Sequence, residues 1–599
     1  MRRPRRPGRG PDDGDAARLG KHPADGFVVQ PVDRHGLSFR LAFATRRGLY
    51  RGALSRPSPF LAPVLLLLAA LSVLGWWWPN RPRAGDVAMP VGRFNSVSLA
   101  PFRAGQSPRA KVFPTTAEVD ADLAVVAART RAVRTYAALE GEYDVAALAE
   151  RHGLKVWQGI WLGPDRARNA REIARGIALA RAHPDTVERV VVGNEVLLRR
   201  DLPVSELIAA IDRVRAAVRQ PVTYADVWEF WRQFPEVAPH VDIVTIHLLP
   251  YWEDTPTGID RAVAHVGAVY REMTALFPGK PVAIGETGWP SRGRWRGDAA
   301  PGRVAQAVFL RRFVALAQEK GFDYNLFEAF DQVWKYQSEG TVGANWGLWT
   351  ADRTTKFPLA GAVVENPAWP IDAALGLAAG ALMLAAGLGR PGLAAGAQVR
   401  LAVLAVALGD ALAFAWAGTA PVVYDAHLLA AAVVNLAGQA GLAVLMIGRG
   451  GAILAGSPLP PARTGRDATR AFRRLLRLRL AQYPHAAAFD DLCFLFAWAA
   501  AVMQLLLLFD PRYRDFPLPV FIVPLVCVAA RAALRDLPRG GGGREEAWVG
   551  GVLALAAVAS AIREGPVNLQ SLAWNAAAVL LAAPLLLRAW PLARARARA

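Results

Sequence analysis

The sequence contains very little cysteine: Cys493 and Cys527 are the only 2 among 599 residues. Both lie in long apolar runs near the C-terminal end, which excludes a disulfide-stapled outer domain and leaves its stability to a hydrophobic core. The 9 histidines are scattered, and no His, Asp and Glu residues stand at metal-ligand spacing, so we expect no metal and no cofactor. No glycine-rich loop precedes Lys-Ser or Lys-Thr, so the sequence also lacks a nucleotide-phosphate motif.

Hydrophobic residues make up 53% of the chain, too many for an ordinary soluble enzyme, whereas the net charge of +20 is typical of a nucleic-acid-binding protein. A membrane topology explains both values. Residues 60–78 are uncharged and long enough to span a bilayer, so we predict a transmembrane signal anchor over residues 59–79. Residues 1–58 hold 13 Lys or Arg against 5 Asp or Glu, which predicts a basic, largely disordered cytoplasmic segment. A cleaved signal peptide is the alternative, but the apolar run begins far from the start and no small-x-small site follows it.

Apolar runs after residue 368 predict seven further spans, at residues 370–388, 399–417, 427–447, 492–509, 516–533, 548–562 and 572–587. The segments are then three transmembrane helices in 369–448, a basic cytoplasmic loop in 449–490, four helices in 491–588 and an Arg-rich cytoplasmic tail in 589–599. The intended outer loops, 418–426, 510–515 and 564–571, carry almost no excess positive charge, whereas residues 449–485 hold eight Arg and one Asp. The positive-inside rule therefore predicts an inner (plasma) membrane protein with both termini in the cytoplasm, and no nucleic acid partner.

Two features of the membrane region stand apart. Asp410 lies inside an apolar span, where a carboxylate is either functional or held by an interhelical hydrogen bond. The Arg- and Leu-rich stretch at residues 470–480 suits a helix lying on the anionic inner leaflet, with membrane lipids as its partner, or a contact with a cytoplasmic protein.

Residues 81–368 are left on the periplasmic or extracellular side, and their length suits one α/β barrel. Strand-like runs alternate with amphipathic stretches such as Arg166–Ala182 and Gly302–Glu319. We therefore predict a TIM (β/α)8 barrel joined to an all-α multi-span transmembrane region. The eight strands are expected at residues 96–99, 133–136, 155–160, 189–192, 222–224, 243–246, 282–284 and 324–327.

Two glutamates each close a short apolar run, VVVGNE ending at Glu195 and PVAIGE ending at Glu286. On the predicted barrel they follow the fourth and seventh strands, on the face where such barrels keep their chemistry. These motifs, with TGWPSRG after Glu286 and FEAFDQVWK at residues 327–335, resemble glycoside hydrolase family 17. That family includes endo-β-1,3-glucanases, β-1,3-glucanosyltransferases and membrane-anchored bacterial members linked to β-glucan synthesis. The resemblance implies a retaining mechanism with Glu195 as the acid/base and Glu286 as the nucleophile.

The chemistry of two carboxyl groups supports the same roles. Retention needs them about 5–5.5 Å apart, one ionised and one protonated. Strands four and seven face one another across a barrel, so their ends can hold Glu195 and Glu286 on opposite sides of a sugar. We expect the pKa of Glu195 to be raised towards neutrality by burial or by the neighbouring charge. The alternative is that both glutamates form salt bridges at the barrel rim.

Polar residues near the strand ends are candidates for binding the sugar or orienting the glutamates. Asn194 is next to the acid and is placed to donate a hydrogen bond to the 2-hydroxyl. Tyr136 and His247 follow strands two and six, and either could orient Glu286, contact the sugar or be structural. The candidates after strand eight are Glu328, Asp331 and Lys335.

Aromatic residues at or after strand ends could stack on pyranose rings or fill the barrel core. Trp289, directly beyond the nucleophile motif, is the strongest candidate for sugar binding, and Tyr251 is a second. Other tryptophans in such positions are Trp157, Trp161, Trp228, Trp231, Trp252, Trp334, Trp346 and Trp349.

The sequence thus predicts a membrane-anchored retaining enzyme acting on a β-glucan polymer or oligosaccharide, with a glucan synthase as a candidate partner. Whether water or a second sugar accepts the glucosyl group is left open, and transfer on a polymer emerging from a synthase is favoured. Residues 247–252 read HLLPYW, unlike plant members of the family, so linkage and chain length also stay open. The alternative is a catalytically inactive glucan-binding barrel on a transport or assembly scaffold.

Overall fold

The structure is a computed structural model that describes residues 57–84, 89, 92–458, 467–476, 485–537 and 541–597. The predicted basic cytoplasmic segment at 1–58 lies outside the described residues except for its last two. Residues 459–466 and 477–484 of the predicted basic loop also lie outside the described residues, as do the last two residues of the predicted tail.

Eight parallel strands form a closed barrel, with each strand paired to the next in chain order and the last paired to the first. Closure joins Ser96 of the first strand to Asn325 of the last. The predicted TIM barrel is therefore confirmed. The barrel strands are β2 Phe94–Ser98, β3 Thr130–Arg134, β4 Lys155–Ile160, β5 Val187–Asn194, β6 Val222–Val227, β7 Ile243–His247, β8 Val282–Thr287 and β9 Asp323–Leu326.

Helices cover the outside of the barrel, and three of them begin at polar caps. Thr115 and Glu118 form a reciprocal capping box, and the Asp165 carboxylate accepts a hydrogen bond from the Arg168 amide. Aliphatic side chains on their inner faces pack on the strands in one continuous core. These helices are α2 Thr116–Ala127, α3 Val145–Arg151, α4 Arg166–Ala182, α5 Val204–Arg215, α6 Trp228–Gln233, α7 Ile259–Leu276, α8 Arg303–Lys320 and α9 Tyr336–Gly343.

The inside of the barrel divides into an apolar layer and a polar layer. Trp157 is fully buried and packs with Val191 and two small residues, Ala132 and Ala225, which leave room for its indole. At the carboxyl ends of the strands the buried residues are polar instead, and they include Arg134, Asn194, His247, Glu286 and Asn325. Such a layer stands at the face where α/β barrels place their active sites.

Among the described residues, seven helices are long and apolar enough to cross a membrane. The predicted span at residues 516–533 forms a helix of only 16 residues that contains Pro524. A further amphipathic helix, α13 Ala468–Leu476, lies at the start of the stretch predicted to lie on the inner leaflet. The apolar helices are α1 Leu61–Asn80, α10 Trp369–Leu388, α11 Ala395–Thr419, α12 Ala426–Leu454, α14 His485–Phe509, α15 Leu518–Ala533, α16 Arg544–Glu564 and α17 Leu569–Ala597.

A two-stranded antiparallel sheet, separate from the barrel strands, forms where the chain enters and leaves the barrel domain. β1 Arg83–Ala84 follows α1, and it pairs with β10 Ala362–Val363, which precedes α10. The amide of Asn366 also donates a hydrogen bond to the side-chain oxygen of Asn80, at 3.0 Å. The two connections to the apolar helices therefore lie side by side.

Candidate active site

Glu195 and Glu286 meet at the carboxyl ends of the strands, as the barrel order predicts. Glu286 lies near the end of β8, and Glu195 follows the last residue of β5. One carboxylate oxygen of each, together with a ring nitrogen of His247, lies within 4.8 Å of the others. The separation is close to the value of about 5–5.5 Å typical of retaining glycosidases and shorter than the gap that an inverting enzyme needs for water.

Two donors hold one oxygen of the Glu286 carboxylate. Arg134 Nη1 donates to Oε1 at 2.8 Å, and the Tyr136 hydroxyl donates to the same oxygen at 2.9 Å. Both Arg134 and Glu286 are nearly fully buried, so their ion pair is shielded from water. Oε2 accepts no hydrogen bond from the part of the chain that the structure describes, so it is the oxygen left to react.

A relay of hydrogen bonds orients the Tyr136 hydroxyl. Asn325 Nδ2 donates to Ser98 Oγ at 2.7 Å, and Ser98 Oγ lies 2.9 Å from the Tyr136 hydroxyl. Because Ser98 Oγ already accepts from Asn325, its own proton is free for the Tyr136 oxygen, and the phenol proton is then directed at Glu286. Burial, and secondly the negative charge of Glu286, raise the pKa of Tyr136 well above its ordinary value, so the phenol stays a donor.

Glu195 is held by His247. His247 Nδ1 lies 2.9 Å from Glu195 Oε1, and Arg134 Nη2 lies 3.4 Å from His247 Nε2. Since a guanidinium only donates, Nε2 is assigned as an acceptor, and Nδ1 then carries the proton that points to Glu195.

Burial raises the pKa of Glu195, but the hydrogen bond from His247 and the nearby positive charges, which include Arg199 and Arg134, outweigh it and leave the pKa below its ordinary value. The sequence-based expectation of a raised pKa is therefore not met without substrate. The cause is a set of cationic and hydrogen-bonding neighbours that the sequence did not place beside Glu195.

The backbone around Glu195 adopts left-handed conformations. Gly193 has φ +85° and Glu195 has φ +51°. A Cβ on Gly193 would lie 2.8 Å from a Val196 methyl, so glycine is needed there. A non-glycine residue in this region stores strain of order 1–3 kcal/mol, and such strain tends to occur at functional sites.

Glu195, His247 and Glu286 also have the composition of a possible metal site, which spacing in the sequence did not reveal. Their atoms already have partners, however. The Arg134 guanidinium supplies a positive charge at 2.8 Å from Glu286 Oε1, and the His247 proton points to Glu195. A cation would have to displace both, so we assign no metal to the three residues.

The carboxylates lie in a cleft of about 640 Å³, within the usual range for ligand sites. Its walls carry aromatic and charged groups suited to sugar rings and hydroxyls. Burial, and secondly Glu172, raise the pKa of Glu140 to about 7, so Glu140 is partly protonated near neutral pH. The other aromatic and charged lining residues include Phe102, Arg109, Lys111, Trp161, Arg168, Arg199, Trp252, Phe327, Trp334, Glu339 and Trp346.

Three of the polar residues expected to bind substrate line this cleft: Tyr136, Asn194 and Lys335. Asn194 accepts from Arg134 Nη2 through Oδ1 at 2.5 Å, which directs its amide nitrogen to the cleft. Lys335 Nζ pairs with Glu328 at 2.8 Å. Burial lowers the pKa of Lys335, but the charges of Glu328 and Glu339 more than offset it.

Three other expected contacts are not at the cleft surface. Trp289 is buried, and its Nε1 donates to the Ala300 carbonyl. Tyr251 is buried too, and its hydroxyl donates to the Arg294 carbonyl at 2.6 Å. Asp331 forms a buried pair with Lys356 at 2.6 Å. Since their polar atoms are satisfied within the protein, these residues pack and brace the wall instead of contacting the sugar.

Arg134 is the functional residue that sequence reasoning missed. It contacts Glu286, Asn194 and His247 at once. Its signal in the sequence is an arginine that closes β3, two residues before Tyr136. A charged side chain there must leave the barrel core at its carboxyl end, which is the catalytic face.

Comparison with known proteins places the barrel in a family. The family model of the BtgE/BtgC glycoside hydrolase domain matches residues 96–347. A glucan 1,3-beta-glucosidase of Schizosaccharomyces pombe is 30% identical over 255 residues, covering 40% of this chain and 79% of that protein. One of Arthroderma benhamiae is 31% identical over 263 residues, covering 40% of this chain and 83% of that protein.

Among solved structures, the glycoside hydrolase family 17 beta-1,3-glucanosyltransferase from Rhizomucor miehei is 26% identical, with a TM-score of 0.40. The match covers 45% of this chain and 98% of that one. With the fungal glucosidases aligned over most of their own length and the site motifs in place, the chain belongs to glycoside hydrolase family 17.

Proposed function

We propose that this protein is a membrane-anchored retaining enzyme that remodels β-1,3-glucan through a covalent glucosyl-enzyme intermediate on Glu286. The observation that carries the proposal is the pair of carboxylates, Glu195 and Glu286, which line the cleft with one oxygen of each within 4.8 Å of the other. The fungal relatives are named as glucan 1,3-beta-glucosidases, which supports β-1,3-glucan as the substrate class.

In the first step Glu286 Oε2 attacks the anomeric carbon while the glycosidic C–O bond breaks and the proton of Glu195 passes to the leaving oxygen. Arg134 and Tyr136 hold the other oxygen of Glu286 and fix the direction of attack. The Asn194 amide is placed to donate to a sugar hydroxyl beside the reacting carbon.

In the second step Glu195 takes a proton from water or from a sugar hydroxyl, whose oxygen attacks the anomeric carbon as the bond to Glu286 breaks. This step needs Glu195 ionised, so the His247 hydrogen bond that lowers its pKa favours it. The first step needs Glu195 protonated, so we expect an optimum on the acidic side of neutrality. Water gives hydrolysis and a sugar gives transglycosylation, which we favour for an enzyme anchored beside a glucan synthase.

Sidedness belongs to the same proposal. The loops expected to face the cytoplasm are rich in Arg, and those next to the barrel are not. We place the barrel on the periplasmic or extracellular side of the inner (plasma) membrane, both termini in the cytoplasm, and membrane lipids around the helices. A glucan emerging from the membrane then meets the barrel first.

The test uses the full chain in detergent with linear β-1,3-gluco-oligosaccharides, and products are resolved by size and linkage. Shorter products alone indicate hydrolysis, and longer or branched ones indicate transfer. A 2-deoxy-2-fluoro glucosyl inhibitor is expected to label Glu286 in the wild type, as read by peptide mass spectrometry.

Glu286→Gln is expected to lose activity by several orders of magnitude and to lose the label. Glu206→Gln is the matched control, since Glu206 pairs on the surface with Arg166. A wild type without activity would support an inactive glucan-binding barrel instead. A Glu286→Gln variant as active as the control would overturn the assignment of Glu286 as the nucleophile.

A further inference from the structure

Three loops of the membrane bundle contact the barrel, and we call them the docking loops: residues 420–425, 510–517 and 564–570. They join α11 to α12, α14 to α15 and α16 to α17. They are the loops that the charge pattern predicts to be outer. They contact the segments that follow β8 and β9, the two strands that carry or flank Glu286.

The first set of contacts holds the segment after β8. Arg294 Nη2 pairs with Glu564 Oε1 at 2.6 Å, and both side chains are largely buried. Arg294 Nη1 also donates to the Arg514 carbonyl at 2.9 Å. The Trp295 amide donates to Gln570 Oε1 at 2.9 Å, and Asn568 donates to the Trp295 carbonyl at 3.1 Å. Buried, charge-assisted bonds of this kind fix geometry.

The second set holds α9, the short helix after β9. The Thr341 hydroxyl donates to the Asp515 carboxylate, and Asn345 Nδ2 donates to the Tyr424 hydroxyl at 2.7 Å. At Gly340 the φ is +67°, and a Cβ would collide with the carbonyl oxygen of Tyr513. The backbones therefore approach so closely that only glycine fits.

These contacts reach the cleft through few intermediaries. Glu339 lies on α9, Lys335 directly precedes it, and both line the cleft. Trp252 lines the cleft on the same side, and its ring lies 5.9 Å from that of Tyr513 in a docking loop. One wall of the cleft thus rests on the membrane bundle.

We propose that the docking loops are part of the catalytic unit: they position the Lys335, Glu339 and Trp252 wall and thereby set the affinity for the glucan chain and the length of the products. The proposal rests on the proposed function. It assigns Asp515, Tyr424 and Glu564 as positioning residues, since none of them lines the cleft. The catalytic carboxylates lie at the carboxyl ends of barrel strands and are held by barrel residues, so kcat depends less on the docking loops.

The test compares Asp515→Ala, Tyr424→Phe and the double variant with wild type, all as full chains in lipid nanodiscs. Tyr424→Phe removes one hydroxyl and keeps the ring that lies 4.9 Å from Tyr336. For the double variant we expect KM for long gluco-oligosaccharides to rise roughly 5- to 20-fold, as the loss of two hydrogen bonds implies, with kcat changed less than threefold. The product length distribution should change as well. Val567→Thr is the matched control, being a near-isosteric change of an exposed side chain in a docking loop.

Hydrogen exchange at residues 336–345 reports whether the contact has opened. Faster exchange together with unchanged KM and products would overturn the proposal, because the wall would then be independent of the bundle. Slow exchange with a raised KM would overturn it as well, since the effect would arise elsewhere. In both of these outcomes the proposed function is still supported if the wild type is active and Glu286→Gln is not. An inactive wild type would contradict both proposals.

A pair of introduced cysteines tests whether a raised KM comes from the lost contact and not from misfolding of the variant. In Thr341→Cys/Asp515→Cys, oxidation should link α9 to its docking loop and give wild-type KM, and reduction should raise KM reversibly. Equal KM in the two redox states would contradict the positioning role.

Discussion

Tyr136→Phe removes a single oxygen from the site and keeps the ring in place. In the wild type the hydroxyl donates to Glu286 Oε1 at 2.9 Å, while the second donor, Arg134, remains in the variant. A hydrogen bond to a charged group contributes about 1.5–3 kcal/mol. If the whole contribution acts on the orientation of the nucleophile, kcat/KM falls roughly 10- to 150-fold.

The magnitude has a physical upper bound. As Glu286 forms a bond to carbon its negative charge decreases, so the phenol stabilises the free carboxylate more than the transition state. Its loss therefore makes the carboxylate more reactive while leaving it less well oriented. We expect a fall near the lower end of the range, about 10-fold, because Arg134 still holds Oε1.

The assay is steady-state release of reducing sugar from β-1,3-gluco-oligosaccharides, with burst kinetics to separate the two steps. Tyr143→Phe is the matched control, because the Tyr143 hydroxyl is buried but has no hydrogen-bond partner within the described residues. A kcat/KM for Tyr136→Phe within twofold of that control would refute the orienting role and with it the relay through Ser98.

Three further perturbations have defined outcomes. His247→Phe removes the donor that lowers the pKa of Glu195, so the fall of kcat/KM with rising pH should move to higher pH; an unchanged pH profile would contradict the assignment. Gly193→Ala places a Cβ in a strained left-handed position, and we expect a lower thermal midpoint and activity lower by roughly 5- to 150-fold from about 1–3 kcal/mol of strain; a variant with wild-type stability would argue against it. Asp331→Asn leaves Lys356 buried without its charge partner, which should destabilise the barrel by about 3–5 kcal/mol; thermal unfolding checks this, and Asp331→Asn/Lys356→Met should recover most of the loss.

The local sequence pattern was sufficient to predict the helices and strands of the barrel. The α4 helix runs over Arg166–Ala182 as its amphipathic spacing predicts, because a polar cap and a regular apolar stripe determine both ends. The glutamates at residues 195 and 286 meet because strand order alone brings the carboxyl ends of parallel strands to one face.

Side-chain direction could not be predicted in the same way. Trp289 follows the nucleophile motif, yet its ring packs on Phe309 and not in the cleft. At the end of a strand, a shift of one residue is enough to turn a side chain from the cleft to the core. Arg134 was not identified because its partners come from β5, β7 and β8. An arginine at the end of one strand does not by itself show which of the other strands it will contact. The helix after Pro517 is shorter than the apolar run because proline positions limit its first turns.

The pairing of β1 with β10 bears on the origin of the architecture. Because these two strands bring the chain's entry and exit together, the barrel is inserted into the connection between α1 and α10, helices that pack against each other directly. Adjacent ends are the condition under which one domain is accepted inside another without disturbing its host. The barrel therefore fits between α1 and α10 without separating the two helices. An exchange of the inserted domain would still have to preserve the contacts of the barrel with the loops of the helix bundle.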